Sequence, residues 1–201
     1  MPDLSCAAIL LAAGASTRLG QPKQLVRVGR ESLLRRTVRL GLEAGASPLY
    51  VVLGFDADRM REELAGLPVE TVLNPAWQEG MGSSVSAGAA ALAGARPRPD
   101  AALLLVCDQP RLCAGHLKQL LALHAKHHLT ERKAITASLY AHRAGVPAIF
   151  SSAFFEDLAA CSGDHGARDL MCGHPAKVRG IPWPAGEVDL DRPQDLTTIE
   201  A

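Results

Sequence analysis

The chain has 201 residues, 48% of them hydrophobic, and its 21 Lys plus Arg balance 21 Asp plus Glu. That size and apolar content suit one sizeable domain spanning residues 1–201, because two independent units would each lack a full core. A formal charge of zero leaves no net basic field for a nucleic-acid backbone or an anionic membrane, so neither is expected as a partner, and any phosphate binding must come from local charge.

The first apolar run follows Asp3, has no basic segment ahead of it and breaks too early to span a bilayer, which points to a cytoplasmic protein. Within it, residues 7–11 have the length and continuous hydrophobicity of a strand buried on both faces. Leu11, Ala12, Ala13, Gly14 and Ala15 then form a bare turn whose N–H groups can approach an anion, and Arg18 and Lys23 follow as cations placed to meet phosphate. Lys23 reads as an exposed loop lysine. Gly14 and Gly20 are too far apart for G-x-G-x-x-G, and Gly20-Gln21-Pro22-Lys23 is no Walker A ending, so neither a dinucleotide site nor a P-loop is indicated.

Residues 24–28 read as a short extended piece, 31–44 as a helix stopped by Gly45, 48–54 as a strand, 56–64 as an amphipathic helix and 69–73 as another strand. This alternation predicts a parallel sheet covered by helices. A second bare segment, 74–88, contains Asn74, Gly80, Met81, Ser83 and Ser84. The two serines read as caps of the helix that follows, the N–H groups around them as phosphate or base contacts, and Trp77 as a core anchor. Residues 89–99 are a helix end and loop.

Residues 101–107 have the composition of a buried central strand, and it ends on Asp108. Right-handed crossovers line up the carboxyl ends of parallel strands, so Asp108 and the loop through Lys23 are expected to share one crevice. A phosphate group brought beside a carboxylate needs a hard cation between them, which fits Mg²⁺.

Residues 114–128 read as a helix, with His124, His127 and His128 as an exposed end lacking partners at zinc-finger spacing. Cys6, Cys107, Cys113, Cys161 and Cys172 are odd in number and form no C-x-x-C pair, so they read as reduced thiols. After a strand at 133–138, residues 142–150 look like a brief extended piece around Gly145 and Pro147, either a wall for an acceptor or a hairpin arm. A helix at 154–158 precedes Asp164, His165 and Arg168, among which Asp164 can serve as a cap and Arg168 as half of a surface pair. A strand at 178–181 leads to Asp189, Asp191 and a terminal helix with Pro193 near its first position. Asp191 is well placed as the N-cap of that helix.

Residues 11–23, L-A-A-G-x-S-x-R-x-G-x-P-K, resemble the signature of nucleotidyltransferases with a single GT-A-like domain, particularly the branch that includes molybdenum cofactor cytidylyltransferase. C-D-Q-P at Asp108 is similar to that family's metal-binding D-x-P. R-x-G-x-P-x-x-F from Arg143 and G-D-x-G-A-R from Gly163 resemble its acceptor-side segments, and D-x-D-x-P-x-D-L from Asp189 resembles the element that returns the chain to the metal.

The resemblance implies a three-layer α/β, Rossmann-like fold with a mostly parallel central sheet and helices on both faces. It implies catalytic roles for Lys23, Arg18 and Asp108, and nucleotide binding by the Leu11–Ala15 turn with Arg18, Lys23, Asn74, Gly80, Met81, Ser83 and Ser84. It further implies an acceptor site of Gly145, Pro147, Asp164, His165 and Arg168, and Mg²⁺ on Asp108 with Asp189 or Asp191. CTP and a molybdopterin-type acceptor would be the substrates, with a molybdoenzyme receiving the product. Ala12-Ala13-Gly14 and G-M-x-S-S depart from the L-A-G-G and G-P-L-A-G of the guanylyl branch and favour cytidine, with the Ala13 methyl expected to narrow the floor under the base. The alternatives are a nucleotidyltransferase acting on a sugar or sugar-alcohol phosphate, and a carrier of the molybdenum cofactor without turnover.

Overall fold

A computed structural model describes residues 4–198. Asp3, on which the reading of the N-terminus leans, and residues 199–201 lie outside the described residues.

The first strand, β1 (Cys6–Leu11), is followed by the loop, a 3₁₀ turn (Lys23–Leu25) and a small hairpin of β2 (Arg27–Val28) and β3 (Glu31–Ser32). Ser32 accepts from Arg35 N–H at 3.2 Å and so caps α1 (Leu33–Glu43), which Gly45 terminates at φ +97°. Next come β4 (Leu49–Leu53), α2 (Ala57–Glu63), β5 (Glu70–Leu73), α3 (Met81–Gly94), β6 (Ala101–Val106) and α4 (Ala114–Thr130). The hairpin of β7 (Ile135–Tyr140) and β8 (Arg143–Ser151), then α5 (Phe155–Ala159), α6 (Ala167–Gly173) and β9 (Val178–Pro182), complete the main elements.

The seven-stranded sheet runs β5-β4-β1-β6-β8-β7-β9. Every pairing is parallel except those of β8, which is antiparallel to both β6 and β7. Alternation along β1 divides the core in two. Ala8 and Leu10 pack with Leu34 and Val38 of α1, Met60 of α2 and Leu117 and Leu120 of α4; Ala7, Ile9 and Leu11 pack with Val85 and Leu92 of α3, Leu158 of α5 and Met171 of α6. Helices therefore cover both faces of a mostly parallel sheet, as the resemblance implied.

Several expectations are corrected. Residues 142–150 do form a hairpin arm, but not a brief one: β8 is a nine-residue strand in the interior of the sheet. Its register with β7 jumps from Ala137↔Ala148 to Ser138↔Gly145, so Val146 and Pro147 bulge out of the ladder. Side chains satisfy the bulged carbonyls: Gln109 Nε2 and Tyr140 Oη donate to Val146 O at 2.9 and 2.8 Å, and Ser138 Oγ donates to Pro147 O at 2.8 Å. The expected extended piece at 24–28 begins as the 3₁₀ turn, and the terminal helix is 3₁₀ over Pro193–Thr198.

Of the three histidines expected at an exposed end, His124 and His127 are buried, whereas His128 is half-buried with its Nε2 3.4 Å from Arg132 Nη1. His124 and His127 continue the buried face of Leu117 and Leu120 at helical spacing, and His116 lies on the same side. His116 Nε2 meets Ser138 Oγ at 2.7 Å, and because that hydroxyl gives its proton to Pro147 O, the imidazole donates. His124 Nδ1 pairs with Thr136 Oγ1 at 3.0 Å. Burial pushes His116 down to about 4 and His124 down to about 3, so both are neutral near pH 7. All five cysteines are free, Cys6 and Cys107 within the core, where burial pushes the Cys6 thiol up to about 12.

Candidate active site

The crevice is built where three separate stretches meet at the carboxyl ends of β1 and β6. The loop after β1 is pinned by Leu19, which is buried, and by Ser16 Oγ, which accepts from Lys23 N–H at 3.1 Å. Asp108 stands two residues beyond β6, and Leu190 N–H donates to the Asp108 carbonyl at 3.0 Å. Since Leu190 is fully buried, that bond and its packing anchor the C-terminal segment and set Asp189 and Asp191 beside Asp108.

Charge organises what is brought together. Lys23 Nζ lies 2.6 Å from Asp108 Oδ2 and 3.8 Å from Asp191 Oδ1, while Arg18 Nη1 donates to Asp191 Oδ2 at 2.7 Å. The Lys23 side chain is only 21% exposed, so the expected exposed loop lysine is instead largely covered. Burial pulls its pKa down, but the charge and hydrogen bond of Asp108, helped by Asp191, outweigh this and hold it above the ordinary lysine value. Asp189 is held above the usual carboxylate range by burial and by the repulsion of Asp108 and Asp191. The N-cap alternative for Asp191 is replaced: Asp195 Oδ2 accepts from the Asp191 and Arg192 N–H groups at 3.0 and 2.7 Å, leaving the Asp191 carboxylate to Arg18.

Among the described residues, no three His, Cys, Asp or Glu side chains form a complete protein cage for a metal. The donor set instead fits a hard cation that takes one or two carboxylates and fills its shell from phosphate and water, and Asp108 with Asp189 or Asp191 can hold it. A concavity of about 160 Å³ lined by Ser16, Thr17, Arg18, Lys23 and Asp191 opens beside this set.

On the nucleotide side, Leu11, Ala12 and Ala13 are buried, Gly14 is exposed and Ala15 half-buried. The Ala13 methyl is 3% exposed and belongs to the cluster containing Val52 and Val85, so it packs into the core instead of forming a floor under a base. Ser83 and Ser84 do not cap α3, whose N-cap is Gly80. They tie the strand end to the helix: Asn74 Nδ2 donates to Ser83 Oγ at 2.9 Å and Ser84 Oγ at 3.0 Å, and Ser83 Oγ donates onward to the carbonyls of Ala76 and Gly80. Of that group, Gly80 is half-buried and Met81 exposed.

Around the residues expected to meet an acceptor, a cavity of about 230 Å³ has an apolar floor of Leu104, Val106 and Met171, with Asp164, His165 and Arg168 at its margin. Gly145 lines it, whereas Pro147 is buried behind. Asp164 does not cap α6, whose N-cap is Gly166, and His165 Nδ1 lies 3.8 Å from Asp169 Oδ1. Sequence reasoning overlooked Arg143 and Tyr140, which line the same cavity from the β7–β8 hairpin; the motif contained Arg143 but nothing marked it as facing inward. A larger cavity, about 560 Å³, lies at the far end of the sheet among Ser47, Pro48, Glu70 and Arg96, away from the charged set.

The profile of the MobA-like NTP transferase domain matches residues 8–178. The chain belongs to this family. Nicotine blue oxidoreductase of Paenarthrobacter nicotinovorans is 31% identical over 207 residues, covering 98% of this chain and 95% of that protein. A probable molybdenum cofactor guanylyltransferase of Synechococcus elongatus is 36% identical over 117 residues, 57% of this chain and 56% of the relative. Among solved structures, Rv0371c of Mycobacterium tuberculosis H37Rv superposes with a TM-score of 0.79 at 27% identity over 100% of both chains, and a manganese complex of the same protein with 0.75 at 26% over 98% and 99%. The nucleotidyltransferase fold expected from the loop motif is thus the fold of this MobA-like chain.

Proposed function

We propose that this MobA-like chain, acting throughout as one nucleotidyltransferase domain, transfers CMP from CTP to the phosphate of a molybdopterin-type acceptor and releases pyrophosphate. The observation that carries this reading is the Lys23–Asp108–Asp191–Arg18 set, with two cations and two carboxylates paired across one crevice at 2.6 to 3.8 Å. A phosphate monoester has its second pKa near about 6 and is mostly dianionic at neutral pH, so it attacks without a general base. One of its oxygens bonds to the α-phosphorus of CTP as the bond from that phosphorus to the bridging oxygen breaks, and the electron pair leaves with pyrophosphate.

Lys23 and Arg18 exchange their carboxylate partners for phosphate oxygens and neutralise the charge that gathers on the leaving group. Asp108 with Asp189 or Asp191 would hold Mg²⁺, which would supply Lewis-acid neutralisation of the triphosphate; the manganese complex of the Mycobacterium tuberculosis relative supports a divalent ion. The Asp164, His165 and Arg168 cluster orients the acceptor over the apolar floor. We place the protein in the cytoplasm, handing its product to a molybdoenzyme; among the described residues no helix is long and apolar enough to cross a membrane. Pyrophosphate release from CTP and from GTP, with Mg²⁺ and molybdopterin or a sugar phosphate as acceptor, tests each part. Release that favours GTP overturns the base, release only with a sugar phosphate overturns the acceptor, and none overturns the transferase.

A second reading rests on the full-length similarity to nicotine blue oxidoreductase. Oxidation or reduction of nicotine blue in the presence of an added electron acceptor or donor, without pyrophosphate release, would favour it. The loop after β1 lacks the glycine spacing of the usual dinucleotide site.

A further inference from the structure

Gln24 is 1% exposed, an unusual place for a carboxamide, and it sits directly beneath the loop. Its Nε2 donates to Ala12 O at 2.9 Å and to Gly14 O at 2.8 Å, while its Oε1 faces Ser16 Oγ at 3.5 Å. Two carbonyls at that distance require the nitrogen on their side, which sets the amide's orientation. The intervening carbonyl, Ala13 O, accepts from Phe55 N–H at 2.9 Å. All three carbonyls of the turn are thereby held by the protein.

The consequence follows from peptide geometry. In a trans peptide the C=O of one residue and the N–H of the next point in opposite directions. With the carbonyls of Ala12 and Gly14 drawn down onto Gln24, the N–H groups of Ala13 and Ala15 point away from it. Among the described residues neither has a protein acceptor. The turn therefore offers donors and hides acceptors, a polarity that suits a polyanion.

We propose that Gln24 is the positioning residue of this loop, aiming the Ala13 and Ala15 N–H groups at the polyphosphate of the nucleotide. The inference rests on the nucleotidyltransferase reading. Gln24→Met keeps the side chain's length and removes both donors; Gln24→Glu keeps its shape and sets carboxylate oxygens against two carbonyls. In calorimetric titrations of the full chain with CTP or GTP plus Mg²⁺, both variants are expected to bind at least about tenfold more weakly, while the acceptor KM is unchanged. Thermal melts run alongside report any loss of fold. A measurement without a variant keeps the test independent of folding: in ¹⁵N-labelled wild type, the Ala13 and Ala15 amide protons are expected to move downfield on adding Mg²⁺ and CTP. Native affinity in Gln24→Met, equal losses for both substrates, or unmoved amides in a wild type that binds nucleotide overturn the role of Gln24 alone. A wild type that binds neither triphosphate overturns the nucleotidyltransferase reading as well.

Discussion

Asp108 joins two parts of the chain at once, its carboxylate taking Lys23 and its carbonyl taking the Leu190 N–H. Replacing the carboxylate with an amide leaves the backbone bond intact, so Asp108→Asn is expected to keep the fold and to lower turnover by at least about 100-fold. Near-native activity at saturating Mg²⁺ would remove Asp108 from the reaction. Lys23 has a different profile, because its side chain is covered and neutralises a group of three carboxylates. Lys23→Met should therefore cost about 1–3 kcal/mol of stability in addition to its loss in kcat/KM, both measurable on one preparation. An unchanged denaturation midpoint would mean that Asp108 and Asp189 find another partner. Ala13→Gly is expected to narrow the preference for CTP over GTP without reversing it. The buried methyl acts by packing the loop against Val52 and Val85 and limiting its backbone freedom, and competition kinetics with the two nucleotides report the ratio. That Arg18 and Lys23 follow the bare turn as two cations was legible from residue type and spacing; the burial of Gln24 was not, because a buried glutamine and an exposed one look alike in sequence.

At the scale of elements, the first turn of α3 lies so close to the segment before α6 that a Cβ on Gly82 would overlap the Ser162 backbone, and Gly82 N–H donates to Gly163 O at 2.7 Å. The first turn of α3 and the segment leading into α6 are thus joined backbone to backbone. Gly82→Ala must push residues 162–164 outward, which should destabilise the protein by about 1–3 kcal/mol and raise the acceptor KM more than the nucleotide KM. A shift confined to the nucleotide KM would show that the contact serves α3 alone. Strands and helices of one period were read with ends off by a residue or two, because alternation and helical spacing are local signals. β8 was misjudged for a physical reason: Gly145 and Pro147 signal a break locally, yet a bulge whose carbonyls are taken by Gln109, Tyr140 and Ser138 lets the strand continue.

For the molecule as a whole, the buried imidazoles of α4 make stability depend on pH. Their folded pKa values, about 4 for His116 and about 3 for His124, lie below the unfolded value of 6.5. Between those limits the unfolded chain binds more protons, so stability is fully present above pH 6.5 and falls as pH drops toward 4, by on the order of a few kcal/mol. Thermal midpoints measured from pH 7.5 to 4 should show this loss, and His124→Gln should flatten it; parallel curves would mean that the acid sensitivity lies elsewhere. The sequence by itself determined the alternation of strands and helices, the bare turn with its two cations, and the carboxylate at the end of a buried strand, since each depends on local spacing and residue type. The tertiary structure alone decided that Lys23 is covered by Asp108, that Asp191 holds Arg18, that Ser83 and Ser84 brace a strand end, and that His116 and His124 face the sheet. Those are contacts between residues distant in the chain, and burial and electrostatic partnership arise only once the sheet has brought the segments together.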